Sequence, residues 1–360
     1  MWTAGSTPAG RRLSRSSVRS GVWPGSTVGG VERWLADGRI VRVCGLLGAL
    51  TIAFSSILVR LSHASPSTAA IFRCLFALPI LGWLASLEDR RFGARPWPSR
   101  RVLFAAGVFF AADLILWHHS IEDVGAGLAT VLANIQVVLV PLVAWAVLGE
   151  RPGRRVLAAL PIALMGVVLI SGVLQHGAYG REPLRGALFG LAAGVAYVGF
   201  LLLLRRGGSD LRRVAGPLFD ATAVATVFCI AAGLVVGDAD LTPGWPGIGW
   251  LIVLALTSQV IGWLLITTSL PRLPAAITSL VLCVQPVGSV ALAALILGES
   301  PSAFQLVGVA VVLGAVIAAT RPAAGARRLS EQVFRFRSDQ RRGAGSVVGR
   351  DVAVGASDQD

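Results

Sequence analysis

Ten apolar stretches, at 43–59, 67–87, 102–117, 124–148, 156–174, 184–204, 214–236, 246–268, 274–297 and 303–319, constrain this chain more than any other feature. A helix needs about 20 mainly apolar residues to cross a bilayer, and these runs lie near that length. Backbone in lipid must satisfy its own hydrogen bonds, so each run is expected as a helix and not a strand. Composition agrees: 54% of the 360 residues are hydrophobic and 14% are charged, against about a quarter charged in an ordinary soluble domain. Soluble enzyme, secreted disulfide scaffold and disordered protein are therefore excluded. The expected fold class is an all-α membrane protein with ten transmembrane helices.

The arginines set the orientation. All 32 basic residues are Arg, and with 19 acids they give a net charge of +13. In a soluble protein that balance would suggest nucleic acid. Here the arginines crowd the tails and alternate loops, so topology explains them and no nucleic-acid partner is expected. With the N-terminus inside, the inner segments collect Arg90, Arg91, Arg95, Arg100 and Arg101, then Arg151, Arg154 and Arg155, then Arg205, Arg206, Arg212, Arg213 and Arg272. The outer loops hold only Arg60, Arg181 and Arg185, beside Glu122, Asp123, Asp238 and Asp240. The expectation is a multi-pass protein of the cell (inner) membrane with both termini cytoplasmic.

Residues 1–40 and 321–360 are polar and are expected as disordered cytoplasmic tails. The first is too polar over 22–40 for a signal peptide, and it reads equally as an overextended start. Cys44, Cys74, Cys229 and Cys283 fall inside apolar runs without metal-ligand spacing. They read as small core residues, and no metal or cofactor is expected.

The chain repeats itself. Shifted by 149 residues, Leu116–Gly153 falls on Leu265–Ser302 without a gap. Ser120 meets Ser269, Ala126 meets Ala275, Gln136 meets Gln285, and Leu148-Gly149-Glu150 meets Leu297-Gly298-Glu299. Pro152 meets Pro301. Two halves result, 41–175 and 184–320, with five spans each. Five is odd, so the second half enters the membrane from the opposite side. Inverted repeats of this kind are the architecture of secondary transporters, with the solute site at the pseudo-twofold axis near the midplane.

These halves, each with a polar helix, L-G-E-x-P and a closing Gly-rich helix, resemble the EamA family of the drug/metabolite transporter (DMT) superfamily. Ala70-Ile71-Phe72-Arg73 resembles that family's Arg-containing second helix. The family typically has a Pro some dozen residues before its G-E. Pro286 fills that place in the second half, while the first has Val137 there and Pro141 a turn later. The resemblance implies an inner-membrane carrier, often an exporter of amino acids, metabolites or drugs.

Ionisable groups inside a membrane are costly, so each is a candidate for function. Arg73 and Asp113 are expected at one depth, where pairing would relieve both charges, as a structural clamp or as a gate. Gln136 and Gln285 sit near the middle of symmetry-related spans, as candidate solute ligands or as interhelical contacts. Asn134, two residues from Gln136, is expected to face elsewhere on a regular helix. Gln259 and Trp263, spaced i, i+4, share one face, and Tyr197 joins them as a candidate cavity wall or packing residue. Trp117 reads as an interfacial anchor. The adjacent His118 and His119 are not expected to face one site, and His118 is a proton-coupling candidate. Asp220 stands near the repeat position of Arg73 and is a candidate inner gate. Glu150 and Glu299 are expected to fix helix ends, and Gly166, Gly190, Gly194, Gly308 and Gly314 to permit close helix packing.

Rival classes lack their motifs. No H-E-x-x-H or G-x-S-x-G marks an intramembrane enzyme, and no P-loop marks an ATP-driven pump. The expected function is a secondary-active carrier working by alternating access, with an uncoupled facilitator as the alternative and an intramembrane enzyme behind it. Its partners would be a small solute, the lipid bilayer and possible coupling protons. A monomer or weak homodimer suits a chain that already contains both halves.

Overall fold

The computed structural model describes residues 38–148, 154–269, 272–273 and 275–320. The expected tails, apart from the last residues before 41, and the first L-G-E-x-P with Glu150 lie outside these residues. So does the side chain of Cys283. Every described element is helical, and there is no strand among the described residues.

Each apolar run contains helix. The first is α1 (Gly38–Ala53) and α2 (Ser55–Ser62), followed by α3 (Pro66–Phe92) and α4 (Trp97–Val124). The fourth is split into α5 (Ala126–Ala133) and α6 (Gln136–Leu148), and α7 (Arg154–Ile170) ends the first half. The second half holds α8 (Pro183–Gly207) and α9 (Ala215–Val236). Then come α10 (Gly247–Leu254), a π-helical segment over Ala255–Gly262, and α11 (Trp263–Ser269). It closes with α12 (Ala275–Leu297) and α13 (Ala303–Thr320). Among the described residues, six continuous helical stretches are long and apolar enough to cross a bilayer, including Pro66–Phe92, Trp97–Val124 and Pro183–Gly207. The protein is a multi-pass membrane protein. Its outer surface fits that reading, with Trp83, Val227, Leu234 and Leu295 all exposed; such side chains are at home against acyl chains and not against water.

Local sequence explains the helix ends. Ser65 caps α3, its hydroxyl accepting from the Thr68 N–H at 3.3 Å, with Pro66 at the first helical position. A single residue, Gly125, turns α4 into α5 with φ +93°, a backbone conformation that suits only glycine. A Cβ there would also lie 2.9 Å from Glu299. The Glu299 carboxylate, from the other half, accepts from the Ala126 N–H at 2.7 Å and the Gly127 N–H at 3.2 Å. It thus caps α5 in place of a local side chain.

The halves interlock. α3 packs along α9, α5 against α12 and α7 against α13, so three spans meet their own repeat counterparts. Two further contacts between the halves, α4 with α8 and α1 with the π segment and α11, exchange with one another under the 149-residue shift. Gly166 and Gly308 let α7 and α13 touch, a Cβ on either lying within 3 Å of the other's carbonyl oxygen. Gly190 and Gly194 are similarly tight against Leu132 and Ile135, but Gly314 faces open space and does not serve close packing.

The two ends carry different charges. At one, Arg95 and Arg100 reach Asp220 at 3.3 and 3.2 Å, and Arg213 reaches Asp89 at 3.1 Å. At the other, Arg185 holds Asp123, with Nε 2.7 Å from Oδ2, and Arg181 meets Glu122 at 3.0 Å.

Candidate functional site

Three departures from regular α-helix build a cavity between the halves. α1 and α2 meet at Phe54, α5 and α6 at Asn134–Ile135, and α10 passes to α11 through the π segment. Such interruptions re-aim side chains that an unbroken helix would turn away. The cavity, of about 50 Å³, is bordered by Arg73, Asp113, Asn134, Gln136, Tyr197, Trp263 and Gln285. Ile52, Ser55, Phe110, Leu114, Trp117, Thr130 and Ala133 complete the lining.

Most of the polar candidates from both halves thus come together. The expectation that Asn134 faces elsewhere is corrected, since the helix breaks at that residue and the 100° advance per residue no longer applies. Its Nδ2 donates to the Thr130 carbonyl at 2.8 Å across the break. The irregularity does not follow the prolines: α12 continues through Pro286, whereas the α5–α6 break contains none.

Arg73 and Asp113 share the cavity but do not form the expected ion pair, having no salt bridge within 4.0 Å among the described residues. Arg73 is held otherwise. Its Nε donates to Gln259 Oε1 at 3.0 Å, and Gln259 Nε2 donates to Thr222 Oγ1 at 3.2 Å. The guanidinium carbon lies 5.7 Å from the centre of the Trp117 ring, within cation–π range. Gln259 is fully buried behind the arginine and is absent from the cavity lining; it positions Arg73.

Three buried polar atoms in the lining residues have no partner among the described residues: Arg73 Nη1, Gln136 Oε1 and Trp263 Nε1. Each has hydrogen-bonding capacity to offer a guest, and each costs free energy if left unpaired. The opposite character comes from rings. Phe110 stacks on Phe200 at 4.4 Å, Trp263 meets Phe200 edge-on at 5.3 Å, and Tyr197 lies 6.0 Å from Trp263. One wall is therefore charged and amide-rich while another is aromatic. A small molecule with a charged head and an apolar body fits this chemistry.

Trp117 is not an interfacial anchor: it is buried and walls the cavity. The signal for it was present, because it lies four residues after Asp113 on one helix face. Phe110, Thr130 and Ser55 carried no such signal, as small and aromatic residues abound in all spans.

His118 and Asp220 lie elsewhere. His118 is buried, with Nδ1 3.1 Å from the Pro66 carbonyl, and it borders a second space of about 700 Å³ with His119, Glu122, Arg60 and Asp238. Both histidines border that space after all, His119 through Nε2 3.7 Å from Asp238. α2 and α4 run from one space to the other, Ser55, Asp113, Leu114 and Trp117 bordering the first and Val59, Arg60, Leu61, His118, His119, Ile121 and Glu122 the second. Asp220 is clasped by Arg95 and Arg100 and borders neither space. Among the described residues no three His, Cys, Asp or Glu side chains gather as a metal site.

Comparison with known proteins bears on what this arrangement serves. An uncharacterized protein of Pseudomonas aeruginosa is 30% identical over 195 residues, covering 54% of this chain and 64% of that protein. The chain thus matches a little under two thirds of that relative's length. A solved crystal structure superposes with a TM-score of 0.53 at 18% identity, over 80% of this chain and 98% of that one, a likeness of fold. The EamA-like transporter family matches twice, over residues 40–172 and 184–321, once for each half. The chain belongs to the EamA-like transporter family of the drug/metabolite transporter superfamily.

Proposed function

We propose that this membrane transporter exports a small solute bearing both a cationic and an anionic group, of the amino-acid kind, by alternating access through the Arg73–Asp113 cavity. The observation that carries the reading is that Arg73 and Asp113 border one cavity without forming an ion pair. A zwitterion satisfies both at once. The Arg73 guanidinium takes the carboxylate, Asp113 the ammonium, and the amides of Gln136, Gln285 and Asn134 replace water around the head. Phe110, Trp117 and Trp263 then receive the apolar part. Arginine keeps its charge and presents several donors, which suits carboxylate recognition.

Alternating access is supported by the paired packing of the halves and by the odd number of apolar runs in each. Inverted halves of ten crossing helices, with both ends on the arginine-rich side, account for the alternation of basic and acidic loops. The outward direction follows the family resemblance. Asp113 is the acid in the cavity best placed to exchange a proton for the substrate's ammonium, which would make the carrier a proton-coupled antiporter.

The test compares solutes in the medium of cells producing the intact protein with those producing Arg73→Gln or Asp113→Asn, at equal membrane levels. A zwitterion that accumulates outside only with the intact protein is the expected result. Export of neutral or purely cationic compounds, unaffected by either substitution, would overturn it. The pair Gln136→Ala/Gln285→Ala, read in the same way, separates solute contact from interhelical bonding.

A further inference from the structure

A second cavity of about 650 Å³ opens at the arginine-rich end, away from the transport site. Its walls are mainly apolar: Ile40 and Val41 of α1, Leu84 and Leu87 of α3, Leu264 and Leu265 near α11. Its rim is basic, with Arg91, Arg212 and Arg272 against a single carboxylate, Glu88. That carboxylate is already engaged. It accepts from the N–H groups of Val214, Ala215 and Gly216 at 2.9, 2.9 and 2.8 Å, at the start of α9.

The rim cations are crowded. The guanidinium carbons of Arg91, Arg212 and Arg213 lie 5.2, 5.3 and 5.6 Å from the centre of one ring, Phe92. Like charges gathered so closely repel one another, and an anion between them relieves the repulsion. Asp210 and Asp89 neutralise part of the cluster: Asp210 accepts from Arg212 Nε at 3.0 Å and lies 3.6 Å from Arg213, which also meets Asp89 at 3.1 Å. Among the described residues Arg272 donates to the backbone carbonyls of Thr268 and Leu211. Among the described residues, Arg91 and Arg272 thus border the groove without a carboxylate partner.

We propose that this groove binds an anionic phospholipid, with an acyl chain between α1, α3 and α11 and the headgroup phosphate between Arg91 and Arg272. Charge selects this occupant. A neutral lipid would fill the apolar groove but leave the arginines unrelieved. Basic pockets between membrane helices recognise phosphate headgroups on this principle.

The experiment uses the full-length protein in neutral detergent, titrated with phosphatidylglycerol, with phosphatidylcholine of the same chains, and with inorganic phosphate, and read by native mass spectrometry and thermal unfolding. Phosphatidylglycerol is expected to remain bound and raise the unfolding temperature, with phosphatidylcholine and phosphate doing neither. Arg91→Gln/Arg272→Gln should weaken that binding about tenfold or more, while Arg205→Gln/Arg206→Gln, exposed at the same end, should not. Leu84→Trp fills the groove with every charge kept and should also abolish binding, a test that stands even where the arginine variant fails to fold. Equal retention of both lipids, or unchanged binding by the Leu84 variant, overturns the proposal. Phosphate acting as well as the lipid would make it a free-anion site and equally overturns it.

Discussion

Arg73 and Gln259, separated by 186 positions, are joined by a hydrogen bond of 3.0 Å from Nε to Oε1, and the bond ties the first half of the chain to the second. The sequence alone suggested Asp113 as the arginine's partner. With an amide holding one edge of the guanidinium, the other remains available to the cavity, where Nη1 has no described partner. The glutamine is itself fixed by Thr222, so the arginine's direction is set by two residues of the second half.

Gln259→Leu should therefore leave the Arg73 Nε buried without an acceptor and cost about 2 kcal/mol. Thermal unfolding of the purified protein measures it. Combined with Arg73→Gln the losses should be non-additive by roughly 1 kcal/mol; simple additivity would mean the two side chains act separately.

Asp113→Asn should abolish the pH dependence of solute exchange in proteoliposomes. An ionised Asp113 attracts a substrate ammonium and a protonated one does not, so solute binding by the intact protein should weaken as pH falls through the carboxyl's titration. A variant that keeps the wild-type profile would remove Asp113 from the coupling step.

Glu299→Gln keeps the shape but removes the charge from the α5 cap. A charged acceptor at a helix N-terminus contributes about 1 kcal/mol, and the loss should appear as a lowered unfolding temperature. Glu299→Ala should cost more, because both the Ala126 and Gly127 N–H groups lose their acceptor. Equal stability of the two variants would contradict this account.

Asp220→Asn is expected to destabilise by roughly 2 kcal/mol, since it removes the nearer of two carboxylates from the largely buried Arg95 and leaves only Asp89 at 3.8 Å. Asp220 lies outside the cavity lining, so the KM for solute should stay constant while the amount of folded protein falls. A raised KM with normal stability would place it on the solute path.

Gly166→Ala puts a methyl 2.7 Å from Val312 and 2.9 Å from the Gly308 carbonyl oxygen, forcing α7 and α13 apart. A loss of about 1–3 kcal/mol is expected. Gly314→Ala, which meets nothing within 4 Å, should be neutral or slightly stabilising in the same unfolding assay.

The sequence by itself determined the membrane class, the helical positions and the two related halves. Each of these follows from local patterns: apolar length, backbone hydrogen bonding without water, and one residue series repeated at a constant shift. It also marked most of the polar residues that border the cavity, because polar side chains are too expensive in lipid to pass unnoticed. Which of them meet was decided only by the tertiary structure. The break at Asn134–Ile135 brought Asn134 to the cavity against its helical register, and the packing of α4 turned Trp117 inward. Gln259, not Asp113, took Arg73, and Asp220 was drawn to Arg95 and Arg100. A helix pattern gives the direction of a side chain only while the helix is regular, and a charge chooses among partners by distance in space. Both are set by how the two halves pack.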